Sequence, residues 1–363
     1  METTQDIDIE TTTDYIIVTY DFDINDKPTA GFDLDYTIIK TKSKKKFPVD
    51  KDDWMYLYEN THSFLKGLSE THNLVIFSNQ GGLKNLVKKE AFMEKIVNIV
   101  KDLSIPIKIY ISIENGFFRK PLTGLWNVYN SLKSNTIDCN TSDSNTEDFY
   151  CGDAAGREND FSDSDYMFSQ NIGVKFYMPE QLFLNKKEVI EYKMPNYFTD
   201  YIGDFEDIVL PEVDKLLIIM CGYQGSGKST ISQSFDMSIA SNDIQGTKAK
   251  CKNFLIKQLR ENKNVVIDNT NHRKDARKDY IDLAKEYDYH SMIIYIDNDI
   301  NFCYYMNQLR CELSEGKSKM IPKIAYYTLR KKFEIPDESE CDTFIQISNK
   351  VNANVLKYVF PSI

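Results

Sequence analysis

Leu216-Leu217-Ile218-Ile219-Met220 runs through Cys221 into Gly222-Tyr223-Gln224-Gly225-Ser226-Gly227-Lys228-Ser229. An apolar run of strand length, a Gly-rich turn and a helix-compatible stretch opening at Thr230 read as the start of an α/β unit. The backbone amides of such a loop cradle anions, and Gly225 and Gly227 let the chain turn tightly around phosphates. Lys228 is placed to neutralise the β and γ phosphates, and Ser229 to ligate Mg²⁺. Gly222, Gly225, Ser226, Gly227, Lys228, Ser229 and Thr230 are therefore the candidate ATP site. Further strands are expected at 264–267 and 291–296.

Working outward from the loop, Asp243 in Ser241-Asn242-Asp243 falls where the next strand should end. A carboxylate there can take a proton from an attacking hydroxyl. Asp268 ends Val265-Val266-Ile267, a position that supports Mg²⁺ or its waters. Arg310, in Asn307-Gln308-Leu309-Arg310, is the candidate mobile arginine that offsets charge during transfer.

A second phosphate-handling pattern lies near the start, Asp33-Leu34-Asp35-Tyr36-Thr37. Around it, Tyr15-Ile16-Ile17-Val18-Thr19-Tyr20, Leu74-Val75-Ile76-Phe77, Ile107-Lys108-Ile109-Tyr110-Ile111 and Phe149-Tyr150-Cys151 read as strands. Leu83, Leu86, Val87, Phe92, Ile96, Val97 and Val100 recur with helical spacing. Strands alternating with helices, with polar residues at strand ends, predict a sheet carrying its chemistry at the carboxyl edge. The fold class expected is α/β, with two doubly wound parallel-sheet domains.

Composition sets the boundaries. With 363 residues, 42% hydrophobic and 27% charged, the chain is long enough for two cored domains. Residues 1–13 are polar and expected as a disordered tail. Residues 14–191 form the first domain, and 131–148, rich in Ser, Asn, Thr and Asp, a flexible insertion within it. Residues 192–211 read as a linker and 212–363 as the second domain. Apolar runs are too short to span a bilayer, and no secretory signal opens the chain. Seven cysteines without a CxxC pair read as reduced thiols in an intracellular protein, nuclear or cytoplasmic. A net charge of −11 argues against non-specific coating of nucleic acid, though not against a local basic cleft. Lys40, Lys42, Lys44, Lys45 and Lys46 crowd the loop after the Asp33 motif, either as a solvated loop or as a phosphate-backbone contact.

The order Asp33 and Asp35, Ser78 at a strand end, Lys120 in Arg119-Lys120-Pro121 and Asp153 in Gly152-Asp153-Ala154-Ala155-Gly156-Arg157 resembles haloacid-dehalogenase-type phosphatases. That resemblance implies Asp33 as nucleophile and Asp35 as acid and later base. It implies Mg²⁺ held by Asp33, the Asp35 carbonyl and Asp153, with Ser78 and Lys120 gripping the transferring oxygens. Asp160 is a weaker candidate beside Asp153.

Over roughly residues 14–350 the chain is similar to the polynucleotide kinase 3′-phosphatase family. The likeness is carried by Ala30 to Asp35, Asp53-Trp54, Val75 to Gln80, Phe118 to Trp126, Gly152 to Arg157, the Gly-rich loop, Asp268-Asn269-Thr270-Asn271 and Tyr327 to Glu334. It implies a phosphatase domain followed by a P-loop kinase domain, using Mg²⁺ and ATP. The implied enzyme hydrolyses 3′-phosphates and phosphorylates 5′-hydroxyl ends in DNA strand-break repair. A monomer is expected, and the short apolar runs argue against membrane contact; no repair scaffold partner is named by the sequence. Tyr36 stands where the family has glycine, and Ser241 where an arginine-flanked motif is usual. The short stretch before Asp33 implies that the family's N-terminal phosphopeptide-binding domain is lacking. RNA end repair, a small-molecule kinase–phosphatase fusion and a non-catalytic scaffold that binds broken ends remain as alternatives.

Overall fold

The computed structural model describes residues 7–83, 85–136, 147–187, 201–203, 208–348, 350–351 and 357–360. The chain forms two compact units. The first comprises Met1–Lys193, Arg310–Met320 and Tyr358–Pro361; the second comprises Met194–Leu309, Ile321–Lys357 and Ser362–Ile363.

Strands of the first unit are β1 (Ile7–Thr11), β2 (Tyr15–Tyr20), β3 (Thr29–Phe32), β4 (Ile39–Lys40), β5 (Met55–Tyr56), β6 (Asn73–Asn79), β7 (Ile107–Ser112), β8 (Phe149–Cys151) and β9 (Lys175–Tyr177). Its helices are α1 (Thr61–Ser69), α2 (Leu86–Leu103), α3 (Gly124–Thr136), α4 (Ser164–Ile172) and α5 (Pro179–Leu184). The main sheet runs β1-β2-β7-β6-β3-β8-β9, and β4 pairs with β5. From β7 to β9 all neighbours are parallel, whereas β2 joins β7 and β1 joins β2 antiparallel. Successive strand residues feed opposite layers. Leu74 and Ile76 pack into one core with Phe92, Ile96 and Ile99 of α2. Val75 and Phe77 pack into the other with Leu125 and Tyr129 of α3 and Phe168 of α4. Because β6 and β8 flank β3 on opposite sides, the chain reverses direction of winding there, and the crevice opens at the carboxyl end of β3.

The second unit contains β10 (Leu216–Cys221), β11 (Ser238–Ala240), β12 (Val265–Ile267), β13 (His290–Ile296) and β14 (Thr343–Ile347). Its helices are α6 (Lys228–Ser234), α7 (Asn242–Gln245), α8 (Lys248–Arg260), α9 (Lys274–Glu286), α10 (Ile300–Leu313) and α11 (Lys323–Lys332), the last turn of α10 belonging to the first unit. All five strands are parallel, in the order β11-β12-β10-β13-β14. Leu217 and Ile219 meet α8 and α9, while Ile218 and Met220 meet Ile231 of α6. Both faces are covered, which is why β10 reads as an unbroken apolar run.

Several expectations change. Residues 7–11, expected within a disordered tail, form β1 and pair with β2 from Ile7↔Tyr20 to Thr11↔Ile16. An edge strand facing solvent can carry polar side chains, and it covers the open edge of β2. Residues 1–6 lie outside the described residues. Of the expected insertion at 131–148, residues 131–136 continue α3, and 137–146 lie outside the described residues. Within the linker span, 192–200 and 204–207 lie outside them too, while Ile208 and Leu210 pack on the second core. The expected boundaries also placed 310–320 and 358–360 with the second domain; they group with the first unit. Along α2 the buried stripe is Phe92, Lys95, Ile96, Ile99, Val100 and Leu103. Leu86 and Val87, read as part of it, are 68% and 73% exposed in the first turn.

Candidate active sites

β3 delivers Asp33 to the sheet edge, where its N–H donates to Cys151 O at 2.9 Å, beside the end of β8. β8 continues into Gly152-Asp153. Lys120 arrives from the loop between β7 and α3, and Asp165 from the first turn of α4. The Lys120 ammonium sits 2.7 Å from Asp33 Oδ1, 2.7 Å from Asp165 Oδ1 and 2.7 Å from the Tyr150 hydroxyl. Asp165 Oδ2 accepts the Ala154 N–H at 3.1 Å. Gly152 is required by close approach, because a Cβ there would stand 2.4 Å from Asp165 Cγ. Carboxylate oxygens of Asp33, Asp153 and Asp165 all lie within 4.8 Å of one another. Three carboxylates around one ammonium leave an excess of negative charge, and the all-oxygen donor set fits a hard divalent cation.

The electrostatics follow from this crowding. Burial pushes the Asp33 carboxyl well up, Lys120 offsets part of that, and Asp165 and Asp153 add to it. Burial and the Asp165 charge push Asp153 up to about 7. For Lys120, burial disfavours the charge, but Asp165 and Asp33 overcome it and hold its pKa above the ordinary value.

Asp35 lies on the other side of the turn. Its Oδ2 accepts from Gln80 Nε2 at 2.6 Å, and Oδ1 pairs with Lys95 Nζ at 3.3 Å. Gln80 also donates to Ser78 Oγ at 3.0 Å, so Ser78, Gln80 and Asp35 form one chain of bonds. Tyr36 has φ +61°, a left-handed conformation that favours glycine. Its hydroxyl donates to Lys46 O at 3.1 Å, tying the turn to the lysine-rich loop.

That loop divides by role. Lys40 Nζ donates to Leu57 O at 2.8 Å and Lys42 Nζ to Asp52 O at 3.0 Å, so these two brace the fold. Buried Asp53 collects the Ser43 N–H, the Ser43 hydroxyl and the Val49 N–H. Lys46 lies 3.9 Å over the Phe161 ring, joining this loop to the one after Asp153. Phe47 and Phe161 are 71% and 81% exposed.

Sequence reasoning named Asp160 near Asp153 and missed Asp165. Asp160 is a turn former, accepting the Ala155 and Arg157 N–H groups and pairing with Arg157. Nothing in the acidic run from Asp160 to Asp165 separates the two by composition; the start of α4 does. Sequence reasoning also passed over Lys95, although a signal was there: it interrupts the buried stripe of α2, where an unpaired lysine is not tolerated.

In the second unit the Gly-rich loop joins β10 to α6. A Cβ at Gly225, where φ is +77°, would stand 2.2 Å from Cys303 O of α10. Tyr326 donates to Gln224 O at 3.0 Å. Lys228 is buried at the start of α6, its Nζ 2.5 Å from Tyr223 O, while Ser229 and Thr230 are exposed. Asp268 follows β12 with its N–H on Ala240 O at 2.9 Å. Asp243, exposed in α7, is capped by Ser241, and Asn242 N–H donates to Asn269 Oδ1 at 2.9 Å. Gly222 N–H donates to Thr270 O at 3.2 Å. The loop and the Asp268-Asn269-Thr270-Asn271 run are thus pinned together. Arg310 is exposed in the last turns of α10 and falls in the segment that packs with the first unit. Sequence reasoning also missed Arg277, fully buried and paired with Glu340 through two bonds of 2.8 Å. It donates to Asn271 O at 3.0 Å and Glu334 O at 2.8 Å.

Two family descriptions match. Residues 28–183 match polynucleotide kinase 3 phosphatase, and residues 236–336, beginning after the Gly-rich loop, match an AAA domain. The chain is 29% identical over 204 residues to the polynucleotide 3′-phosphatase of Saccharomyces cerevisiae, covering 42% of this chain and 86% of that one. It is 33% identical over 330 residues to the bifunctional polynucleotide phosphatase/kinase of Schizosaccharomyces pombe, covering 88% of this chain and 79% of that one. With that identity running through both phosphate-handling units, the chain belongs to the bifunctional polynucleotide phosphatase/kinase family.

Proposed function

We propose that this enzyme heals broken nucleic-acid ends, DNA first, removing 3′-phosphates in its first unit and phosphorylating 5′-hydroxyls with ATP in its second. The observation that carries the reading is the cluster of Asp33, Asp153 and Asp165 around Lys120 in a chain that also holds a P-loop. In the first site, an Asp33 oxygen attacks phosphorus and the bond to the 3′-oxygen breaks, leaving an aspartyl phosphate. Asp35, aimed by Gln80 and Lys95, gives the departing oxygen its proton and then takes one from the water that hydrolyses the acyl phosphate. Ser78 and Lys120 grip the transferring oxygens. Asp33, the Asp35 carbonyl and Asp153 would hold the cation, Mg²⁺ for this donor set, with Asp165 beside them; when bound it offsets repulsion between carboxylate and phosphate.

In the second site the loop amides from Gly222 to Ser229 and the Lys228 ammonium receive the triphosphate. Asp243 accepts the proton of the 5′-hydroxyl, Arg310 is the candidate mobile charge, and Ser229 and Asp268 would hold Mg²⁺ there. Exposed Phe47 and Phe161 with Lys46 beside them suit unpaired bases and a phosphodiester backbone, which supports a polynucleotide rather than a small phosphate ester.

A gapped duplex carrying a 3′-phosphate and a 5′-hydroxyl, incubated with Mg²⁺ and ATP, tests the whole proposal, with an RNA competitor to set the sugar preference. Asp33→Ala is expected to stop dephosphorylation alone and Lys228→Ala phosphorylation alone. Dephosphorylation surviving in the first variant, or end labelling in the second, overturns the assignments.

A further inference from the structure

The residues flanking Lys120 are held by side chains from distant parts of the chain. Asn79 embraces Lys120 itself, donating to its carbonyl at 3.1 Å and accepting its N–H at 3.0 Å. Asn171 donates to Pro121 O at 2.9 Å and to Val359 O at 2.9 Å, and accepts the Val359 N–H at 2.7 Å. Thr123 donates its N–H to Glu312 Oε2 at 3.0 Å and its hydroxyl to Glu312 Oε1. Asn127 Nδ2 also donates to the Thr123 hydroxyl, at 3.1 Å. Glu312 and Thr123 are 5% and 6% exposed and lie 189 residues apart in sequence. Behind them Gly316, at φ +79°, leaves a hypothetical Cβ only 2.9 Å from Phe117 Cβ, so the segment packs directly on the loop.

We propose that Glu312 is a positioning residue for the phosphatase reaction, fixing the Lys120 loop through Thr123. A buried carboxylate with both oxygens on one residue's two donors is a rigid bidentate anchor, and charge-assisted bonds are roughly twice as strong as neutral ones. Lys120 must keep its ammonium 2.7 Å from Asp33 Oδ1. Loosening the far end of its loop relaxes that placement, and a misplacement of about 1 Å costs on the order of a hundredfold in rate. The segment Arg310–Met320, although it follows the P-loop in sequence, is on this account part of the phosphatase.

The inference rests on Lys120 gripping the transferring phosphoryl group, so the test includes that residue. In the full chain, Glu312→Ala is expected to lower kcat for 3′-dephosphorylation about tenfold or more with KM changed less than about twofold. Glu312→Gln, which keeps an acceptor for the Thr123 N–H, should recover most of that loss. Phosphorylation of 5′-hydroxyls by the same preparations, with the melting temperature, controls for folding. If Glu312→Ala leaves kcat intact, raises KM alone, or loses both activities in step with a fallen melting temperature, the positioning role is wrong; failure of Glu312→Gln to recover kcat overturns it too. Lys120→Ala separates the layers. Full dephosphorylation in that variant overturns the role of Lys120, whereas an inactive Lys120→Ala beside a fully active Glu312→Ala overturns only the role of Glu312.

Discussion

Replacing Asp165 by Asn changes no volume and still removes what the site needs. Asp165 Oδ1 receives the Lys120 ammonium at 2.7 Å, while Oδ2 receives the Ala154 N–H at 3.1 Å. Both neighbours are donors. An Asn side chain has one acceptor and one donor end, so either orientation turns an N–H toward a donor. With Asp165 2% exposed, water does not repair the mismatch. An unsatisfied buried donor costs about 1–3 kcal/mol. Lys120 keeps Asp33, at 2.7 Å, so the full penalty of an orphaned buried charge does not apply. The expected destabilisation of the first unit by Asp165→Asn is therefore about 2 kcal/mol. Asp165→Ala, which loses both bonds and leaves a gap above Gly152, should cost more, about 2–4 kcal/mol, since Lys120 keeps Asp33 there too. Guanidinium unfolding followed by near-ultraviolet circular dichroism, with dephosphorylation and phosphorylation rates on the same samples, reads both effects. Phosphatase activity should fall in each variant and kinase activity hold. If Asp165→Asn unfolds within about 0.5 kcal/mol of the parent, a difference typical of an ordinary surface change, and still dephosphorylates at the parent rate, the buried pair does not organise this site.

Lys95→Met keeps an unbranched buried side chain but removes the ammonium that reaches Asp35 and lies 4.9 Å from the Phe92 ring centre; the phosphatase kcat should drop about tenfold, measured on an oligonucleotide 3′-phosphate, with the kinase as control. Gly225→Ala must place its Cβ 2.2 Å from Cys303 O in a left-handed backbone, so the second unit should lose about 2–4 kcal/mol and 5′-phosphorylation collapse, while dephosphorylation persists. Asp342 takes the Ser291 N–H and hydroxyl at 2.9 and 2.7 Å, and these bonds hold its pKa below the ordinary carboxylate range. Its stabilising contribution is therefore present above that range and fades as pH falls through the lowered value. Asp342→Ala should lower stability by about 1 kcal/mol at neutral pH, after allowance for its solvent exposure, and the gap to the parent should close in acid; a gap independent of pH would contradict the assignment.

Much of the fold was legible because its strands are short, apolar and bounded by motif residues. β10 reads as a buried strand from its composition, and the Gly-rich loop after it has few alternative uses. The same holds for β6, with Leu74 to Phe77 apolar on both faces. Candidate site residues could be nominated from sequence where a motif fixes their place in the fold: Asp33 after β3, Asp153 after β8 and Asp268 after β12 at strand ends, and Lys120 in a loop. Asp160 and Asp165 show the limit, since both are acids in one polar run and only the placement of α4 turns one of them inward. Leu86 and Val87 show another, because helical spacing does not say where a helix leaves the core.

The amino-acid order alone determined that two α/β units handle phosphate and which motif residues lie at their strand ends, because local periodicity and motif spacing are short-range properties of the chain. Tertiary structure decided which distant groups share a charge: Asp165 and Tyr150 with Lys120, Lys95 with Asp35, Glu340 with Arg277, and Glu312 with the loop 189 residues before it. Such pairings arise when buried polar groups, brought together by packing of the apolar faces, must find partners, and no local pattern announces which partner that will be.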